Sequence, residues 1–395
     1  MTKHRIVIPC ARGVAVFLKR ELCALGFPVL REGFSSVETE GTMEDAMRLN
    51  LLIRTGQRIL LLLTEFECHD PDELYKKTNR IRWEDFLLPS AYLSITSSVH
   101  TPSIRDSRFA NLKCKDAIVD RLRERCGRRP DSGPERREAV VHLHWNEGRC
   151  RIFLDTSGEV LSRRGYRKSP VEAPMQEALA AAVVMATGWD GEGNFVNPMC
   201  GSGTLAIEAA LIALNRAPGL LRNDFGFMHL KGFQEALWQA LRKKTRALSK
   251  RSIEAKIVAT DVSEEALRAA QQNAETAGVR HLIDFRRCDF RDTPVPEGGG
   301  VILLNPPYGK RIGERRELEA TYRAIGDFFK KRGQGYRGYI FTGNLDLAKK
   351  VGLRTKRRIP FFNGDIECRL LEYELYEGSR KPTMQEPLRR EERSP

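Results

Sequence analysis

The sequence predicts an α/β protein whose second half is a doubly wound, mostly parallel sheet. Three observations carry this. A glycine-rich turn, Met199-Cys200-Gly201-Ser202-Gly203-Thr204, joins strand-like Phe195-Val196-Asn197-Pro198 to an apolar helix; acids, Asp261 and Asp289, follow the next two strand-like runs; and apolar Val301-Ile302-Leu303-Leu304 is stopped by Asn305-Pro306-Pro307-Tyr308. Short apolar strands alternating with helical patterns fit βα units that cover both faces of a sheet. Open sheets of this kind bind ligands outside the carboxyl ends of their strands, where all three features fall.

The chain of 395 residues suits two or three domains at roughly 100–200 residues each. Lys+Arg 66 against Asp+Glu 52 gives a formal net charge of +14 and a pI near 9.5, which favours a polyanionic partner. Nine scattered cysteines without a C-x-x-C pair imply reduced thiols of a cytoplasmic protein and no disulfide frame or zinc ribbon. The charged start passes straight into a strand pattern and lacks a signal-peptide core. The longest apolar runs, such as Ile59 to Leu63, are too short for a membrane span. No metal site is expected, and the sequence sets no oligomeric state, a monomer being compatible with it.

Taken in order, residues 1–50 read as a strand at Arg5 to Pro9, a helix with apolar Val16, Leu18, Leu22 and Leu25, and short strands to Thr39. This resembles a small ferredoxin-like unit. Residues 51–155 read as a second α/β unit: a strand from Arg58 to Phe66, a helix from Pro71, an aromatic turn at Trp83 and Phe86, and a strand from Tyr92 to Val99. A basic helix from Ser107 to Arg125 and two strands, Ala139 to Trp145 and Cys150 to Asp155, complete it. Lys113, Lys115, Arg121, Arg123 and Arg125 on that helix suit backbone contacts to an RNA groove, a solvated face being the other reading.

Residues 156–172 form a basic linker in which Arg163, Arg164, Arg167 and Lys168 surround Tyr166, a candidate for phosphate binding and base stacking. From residue 173 to 378 the doubly wound unit follows, opening on an alanine-rich helix that Gly188 ends. An insertion-like segment near 215–251 offers Phe225, Phe227, Phe233 and Trp238 as core. Residues 379–395 are charged and proline-bearing, the composition of a disordered tail.

The chemistry expected at the sheet edge follows from the residue types. Glycines let a cofactor approach the backbone, and a helix amino terminus favours a negative group. Asp261 is placed to accept from the ribose hydroxyls of an adenosine, and Asp289 from an adenine amine. Pro306 and Pro307 restrict the backbone so that Asn305 is held extended. Its amide oxygen and the neighbouring carbonyls then accept from an exocyclic NH2, while Tyr308 offers a flat face to the base. An amine conjugated to an aromatic ring is a poor nucleophile, so such a site works by positioning and partial-charge stabilisation.

In this arrangement the chain resembles the class I S-adenosylmethionine-dependent methyltransferases, a Rossmann-like fold. It looks most like the bacterial large-subunit ribosomal RNA guanine methyltransferases that carry an amino-terminal THUMP domain. The resemblance rests on Phe153-Leu154-Asp155-Thr156-Ser157-Gly158-Glu159, Arg164-Gly165-Tyr166-Arg167, Asn197 to Thr204, Arg216-Ala217-Pro218-Gly219 and Asn305 to Gly309. It implies a THUMP domain at 51–155 and S-adenosylmethionine as cofactor, held by Asn197, Pro198, Cys200, Gly201, Ser202, Gly203, Thr204, Asp261, Asp289 and Asn305. It further implies a catalytic loop of Asn305, Pro306, Pro307 and Tyr308 that presents a guanine amine to the activated methyl, and rRNA, as a large-subunit assembly intermediate, for partner. One departure stands out: the family usually carries aspartate where Asn197 stands, which puts the contact with the cofactor's ammonium group in question.

Other readings share parts of this pattern. An adenine-amino DNA methyltransferase would use the same Asn-Pro-Pro-Tyr loop, a tRNA guanine methyltransferase the same THUMP front, and a non-catalytic RNA-binding assembly factor the same basic surface. A nucleotide-dependent oxidoreductase fits less well, because its ribose-binding acid lies about 20 residues after the glycine turn and Asp261 lies much further on.

Overall fold

The computed structural model describes residues 2–167, 175–308 and 315–375, folded around two seven-stranded sheets. Among these residues no helix is long and apolar enough to cross a membrane. The expected disordered tail and Lys168 lie outside the described residues.

The first sheet contains β1 (His4–Pro9), β2 (Arg31–Glu32), β3 (Ser36–Gly41), β4 (Leu60–Glu67), β5 (Leu93–His100), β6 (Ala139–Asn146) and β7 (Arg149–Asp155), in the order β2-β3-β1-β4-β7-β6-β5. Its helices are α1 (Ala15–Ala24), α2 (Met43–Leu52), α3 (Pro71–Asn79) and α4 (Ser107–Cys126). The boundary expected near residue 50 does not separate two sheets. Leu61 of β4 is paired with Ile6 of β1 on one side and Leu154 of β7 on the other, so one continuous sheet runs through both units.

The second sheet contains β8 (Asn194–Pro198), β9 (Ile257–Asp261), β10 (Ile283–Arg287), β11 (Gly300–Leu304), β12 (Tyr336–Thr342), β13 (Arg357–Asn363) and β14 (Ile366–Glu374). With it go α5 (Glu177–Ala186), α6 (Thr204–Ala213), α7 (Glu235–Ala247), α8 (Glu264–Thr276), α9 (Arg315–Arg332) and α10 (Leu345–Lys349). The order is β10-β9-β8-β11-β12-β14-β13, parallel from β10 to β12, with β14 antiparallel to both neighbours. The chain winds outward from β8 to β10 and then returns to β11 on the other flank of β8. That reversal opens a crevice at the carboxyl ends of β8 and β11.

The expected core of the 215–251 segment is confirmed for Phe225, Phe227 and Trp238, all buried, with Phe233 partly buried beside them. β13 escaped the sequence reading. It is the edge strand and carries Pro360, which lacks the N–H a ladder needs and is tolerated only where one side goes unpaired.

A buried polar seam joins the two sheets. Asn50 of α2 donates to Thr156 Oγ1 at 2.9 Å and accepts from Ser157 Oγ at 2.6 Å, and Ser157 Oγ also accepts from the Ile59 N–H. Arg58 pairs with buried Asp155, and Arg222 donates to the carbonyls of Ser157, Glu159, Val160 and Asp224. Burial pulls the Arg222 guanidinium down to about 10. Four carbonyls facing it keep that cost tolerable, because buried charge is stable only when fully hydrogen-bonded.

Candidate active site

β8 enters the crevice at Asn197 and Pro198, and the backbone then turns through Met199 (φ +54°), Gly201 (φ +54°) and Gly203 (φ +79°) into α6. The two glycines have different reasons to be there. A Cβ on Gly203 would stand 2.9 Å from the Ala270 Cβ, so this glycine lets α6 approach α8; a Cβ on Gly201 would meet nothing within 4 Å. Gly201 therefore borders open space, and an approaching ligand is what its missing side chain admits.

Asp261, at the end of β9, ties the turn down. Its Oδ2 accepts from the Gly201 N–H at 2.9 Å and its Oδ1 from the Ser263 N–H at 2.9 Å. An ionised carboxylate has about four acceptor sites, so lone pairs remain for hydroxyl groups of a ligand. A cavity of about 310 Å³ begins there, walled by Asp261, Val262, Asp289, Phe290, Ala320 and Thr321 among others. Val262 is 68% exposed, an apolar side chain offered to that space. Asp289 lies on the wall as expected, but Arg291 engages it: the backbone N–H, Nε and Nη2 of Arg291 all donate to its carboxylate, at 2.9, 2.8 and 2.9 Å. The Arg291 guanidinium holds the Asp289 carboxyl below the ordinary range.

Asn197 is fully buried, and its Nδ2 donates to the Leu303 carbonyl at 2.8 Å. An aspartate there would press a carboxylate against that oxygen, so the amide suits the β8–β11 contact. Its Oδ1 has no partner among the described residues, and neither has Oδ1 of Asn305, the residue just beyond β11. A buried acceptor left without a donor costs about 1–3 kcal/mol. Two buried amide oxygens, one on β8 and one just beyond β11, thus lack a donor among the described residues. Pro306 is buried and Pro307 exposed. Tyr308 is half-buried, its ring set against Gly343, where a Cβ would come within 3.2 Å, and its hydroxyl accepts from Asn363 Nδ2 at 3.1 Å. Asn363, at the end of the unpredicted β13, was missed; nothing in its local sequence marks it.

Around the glycine turn, Ser202 and Thr204 are buried and Cys200 is partly so, its N–H donating to Thr260 at 2.9 Å. Burial pushes the Cys200 thiol well above its ordinary range, which favours the protonated thiol.

The expected RNA contacts of the linker are largely overturned. Arg164 and Tyr166 are each 1% exposed, packed on the buried Glu208 of α6 at 3.4 and 3.2 Å. Burial drives the Tyr166 phenol well above its ordinary range, and its ring is closed to any base. Arg167 is turned inward, donating to the Met175 carbonyl at 2.8 Å and to Thr204 Oγ1 at 3.2 Å. Among the described cations of the linker only Arg163 is exposed, and it pairs with Glu159. The basic helix is also less free than its sequence suggests. Lys113, Lys115, Arg121 and Arg123 pair with Asp72, Asp116, Glu84 and Asp120 respectively.

Comparison with known proteins places this geometry. Family models match an RlmL ferredoxin-like domain over residues 5–60, a THUMP domain over 68–155 and an RMKL-like methyltransferase domain over 164–372. β4 bridges the gap between the first two, starting at the last residue of the first match, and pairs with strands of both. The ribosomal RNA large subunit methyltransferase K/L of Syntrophotalea carbinolica is 38% identical over 376 residues, 93% of this chain and 53% of that protein. The chain thus spans about half the length of that relative. A Synechocystis protein, provisionally named an RNA methyltransferase, is 35% identical over 366 residues, covering 93% of this chain and 95% of its own. The crystal structure of SMU.472, described as a methyltransferase complexed with SAH, superposes with a TM-score of 0.86 at 26% identity, over 96% of this chain and 100% of that one. The chain belongs to the RMKL-like methyltransferase family, with ferredoxin-like and THUMP domains ahead of its class I catalytic fold.

Proposed function

We propose that this protein transfers a methyl group from S-adenosylmethionine to the exocyclic amine of a guanine in RNA, most specifically in 23S rRNA. The observation that carries the reading is the buried Asn305 Oδ1, without a partner among the described residues, on the strand beside the open glycine turn. An exocyclic amine supplies the donor that oxygen lacks.

The residues present fit the cofactor. Gly201 leaves its approach open, Asp261 retains acceptor sites for ribose hydroxyls, and Val262 offers an apolar side chain to the cavity against which an adenine would rest. Asn197 Oδ1 offers an acceptor for the ammonium group without the charge an aspartate would bring. Asp289 serves the adenine amine only with oxygen lone pairs that Arg291 leaves free. S-adenosylmethionine, when bound, supplies a methyl group made electrophilic by its sulfonium.

The chain's own contribution is positional. Asn305 Oδ1 and the Pro306 carbonyl accept from the guanine amine and align its lone pair; Tyr308, braced by Asn363, supports the base plane. Holding a weak nucleophile in line supplies much of such a barrier, and acceptors aimed at N–H groups that grow more acidic during attack supply more. The proton then leaves to solvent. A base inside a helix cannot reach the crevice, so the substrate is a flipped-out nucleotide or an unfolded assembly intermediate, met in the cytoplasm, where the nine free cysteines stay reduced.

Asn305→Ala should lower turnover by about 10²–10³-fold, the scale set by loss of one positioned group, while S-adenosylmethionine affinity measured by calorimetry stays within about twofold. Mass-spectrometric mapping of methylated nucleosides in rRNA, tRNA and DNA from cells with and without the protein identifies the acceptor. Methyladenine in DNA, or a variant as active as the parent protein, would overturn the assignment.

A further inference from the structure

Most large apolar side chains here are buried, yet Phe34, on the hairpin between β2 and β3, is 65% exposed. Its ring meets that of Phe362 on β13 edge to face, with centroids 5.9 Å apart and planes at 78°. The guanidinium carbon of Arg12 lies 5.6 Å from the centroid of the same Phe362 ring. Arg12 is exposed and makes no ion pair among the described residues, in contrast to the neutralised cations of α4. The exposed Phe34 ring, the half-buried Phe362 ring it packs on and a cation without an ion pair among the described residues thus share one surface, contributed jointly by the ferredoxin-like unit and the catalytic sheet.

That surface is rigidly built. A Cβ on Gly13, beside Arg12, would stand 2.9 Å from the Pro360 carbonyl, so the loop before α1 presses directly on β13. The next residue on β13, Phe361, is fully buried and stacks on Phe17 of α1 at 5.6 Å with planes 10° apart. Side chains alternate along a strand, so Phe361 anchors β13 inward while Phe362 faces out. The next residue, Asn363, holds the Tyr308 hydroxyl at 3.1 Å. By the same alternation Asn363 lies on the side of Phe361, so the aromatic surface and the brace of the target-base loop are carried by consecutive residues, about 3.8 Å apart at Cα, on opposite faces of the edge strand.

We propose that Phe34, Phe362 and Arg12 form a stacking platform for the single-stranded nucleotides adjoining the methylated base. Bases stack on exposed rings whatever their identity, and an arginine adds phosphate attraction and cation–π contact. The formal net charge of +14 and the link through β13 from Phe362 to Asn363, the partner of Tyr308, favour RNA over a protein partner for this surface. On this view the ferredoxin-like unit takes part in substrate binding directly, and the strand enters across β13. The inference rests on the proposed RNA substrate, and the test separates the two.

The full chain is titrated with a fluorescein-labelled single-stranded RNA decamer containing one central guanosine and uridines elsewhere. Phe34→Ala and Arg12→Ala, alone and combined, are compared with the parent protein for RNA affinity, S-adenosylmethionine affinity and Tm. Because both side chains are exposed, the folded core stays intact. The platform predicts RNA binding about 10-fold weaker for Phe34→Ala and weaker still for the double variant, since stacking contributes about 1–3 kcal/mol per base. Cofactor affinity and Tm stay unchanged, and 4-thiouridine placed next to the guanosine crosslinks to residues 31–36 or 360–363. Parent-like RNA binding by the folded double variant overturns the platform, as expected if a protein docks there, even when methylation of RNA is confirmed. RNA binding that depends on Phe34 without any methyl transfer overturns the catalytic reading and leaves the platform standing.

Discussion

At the scale of single residues, three glycines show how space decides what a position tolerates. A Cβ on Gly219 would stand 2.5 Å from the Asn50 carbonyl oxygen and 2.6 Å from the Leu51 Cα. Both are backbone atoms of the helix it packs on, so Gly219→Ala should cost about 1–3 kcal/mol in urea denaturation, toward the upper end because backbone cannot step aside. Gly203→Ala faces both a left-handed φ of +79° and the Ala270 side chain, and Ala270→Gly in the same chain should restore part of the loss. Gly201→Ala keeps open space but pays for its φ, about 1–2 kcal/mol, and should weaken S-adenosylmethionine more than it weakens the fold. His229 and Asp224 give a pH signature. Asp224 raises the His229 pKa above 6.5, and His229 lowers the Asp224 pKa below 3.8. The histidine's contribution is complete below its unfolded value and is lost as pH rises through its higher folded value. The aspartate's contribution is complete above its unfolded value and is lost as pH falls through its lower folded value. The pair is therefore fully effective between about pH 4 and 6.5. A small fall in Tm above that window should disappear in Asp224→Asn.

Among elements, the β13–β14 hairpin matters beyond its place at the sheet edge. It links Phe17 of the first unit to Tyr308 of the crevice through Phe361 and Asn363. Phe361→Ala should cost about 3–5 kcal/mol, the usual range for a buried aromatic ring. Asn363→Leu removes only the donor to Tyr308; it should lower kcat for RNA several-fold with little change in Tm, measurable by single-turnover methylation. The seam behaves differently. Arg222→Met strands four carbonyls at once and should lower Tm by several degrees without moving any group in the crevice.

For the whole molecule, the two sheets act as one clamped body. Arg222, donating to the carbonyls of Ser157, Glu159 and Val160, and Arg54, donating to the Arg216 carbonyl, fix the first sheet against the catalytic one. RNA held by both should bind with a steep salt dependence, with log affinity falling linearly in log salt by about 0.7 per phosphate contact on single strands. Filter binding from 50 to 300 mM KCl measures that slope. A flat line would mean that the formal charge of +14 is not directed at RNA.

The elements that bury an apolar face at regular spacing were legible in the chain, because such periodicity is local. β8, β9, β10 and β11, their terminal Asn197, Asp261 and Asn305, and the glycine turn all followed from neighbouring residues. Four things did not. Whether Arg164 and Tyr166 meet RNA or protein depended on Glu208, more than 40 residues away. Whether two of the α4 cations, Lys113 and Arg121, were free depended on acids of other elements, Asp72 and Glu84. The reason for Gly219 lay in α2, and the brace of Tyr308 in an edge strand whose proline disguised it. The sequence by itself determined the order of the elements and the chemistry carried on the sheet edge. Only tertiary structure decided which charged groups stay available, because availability is set by what distant segments bring alongside them.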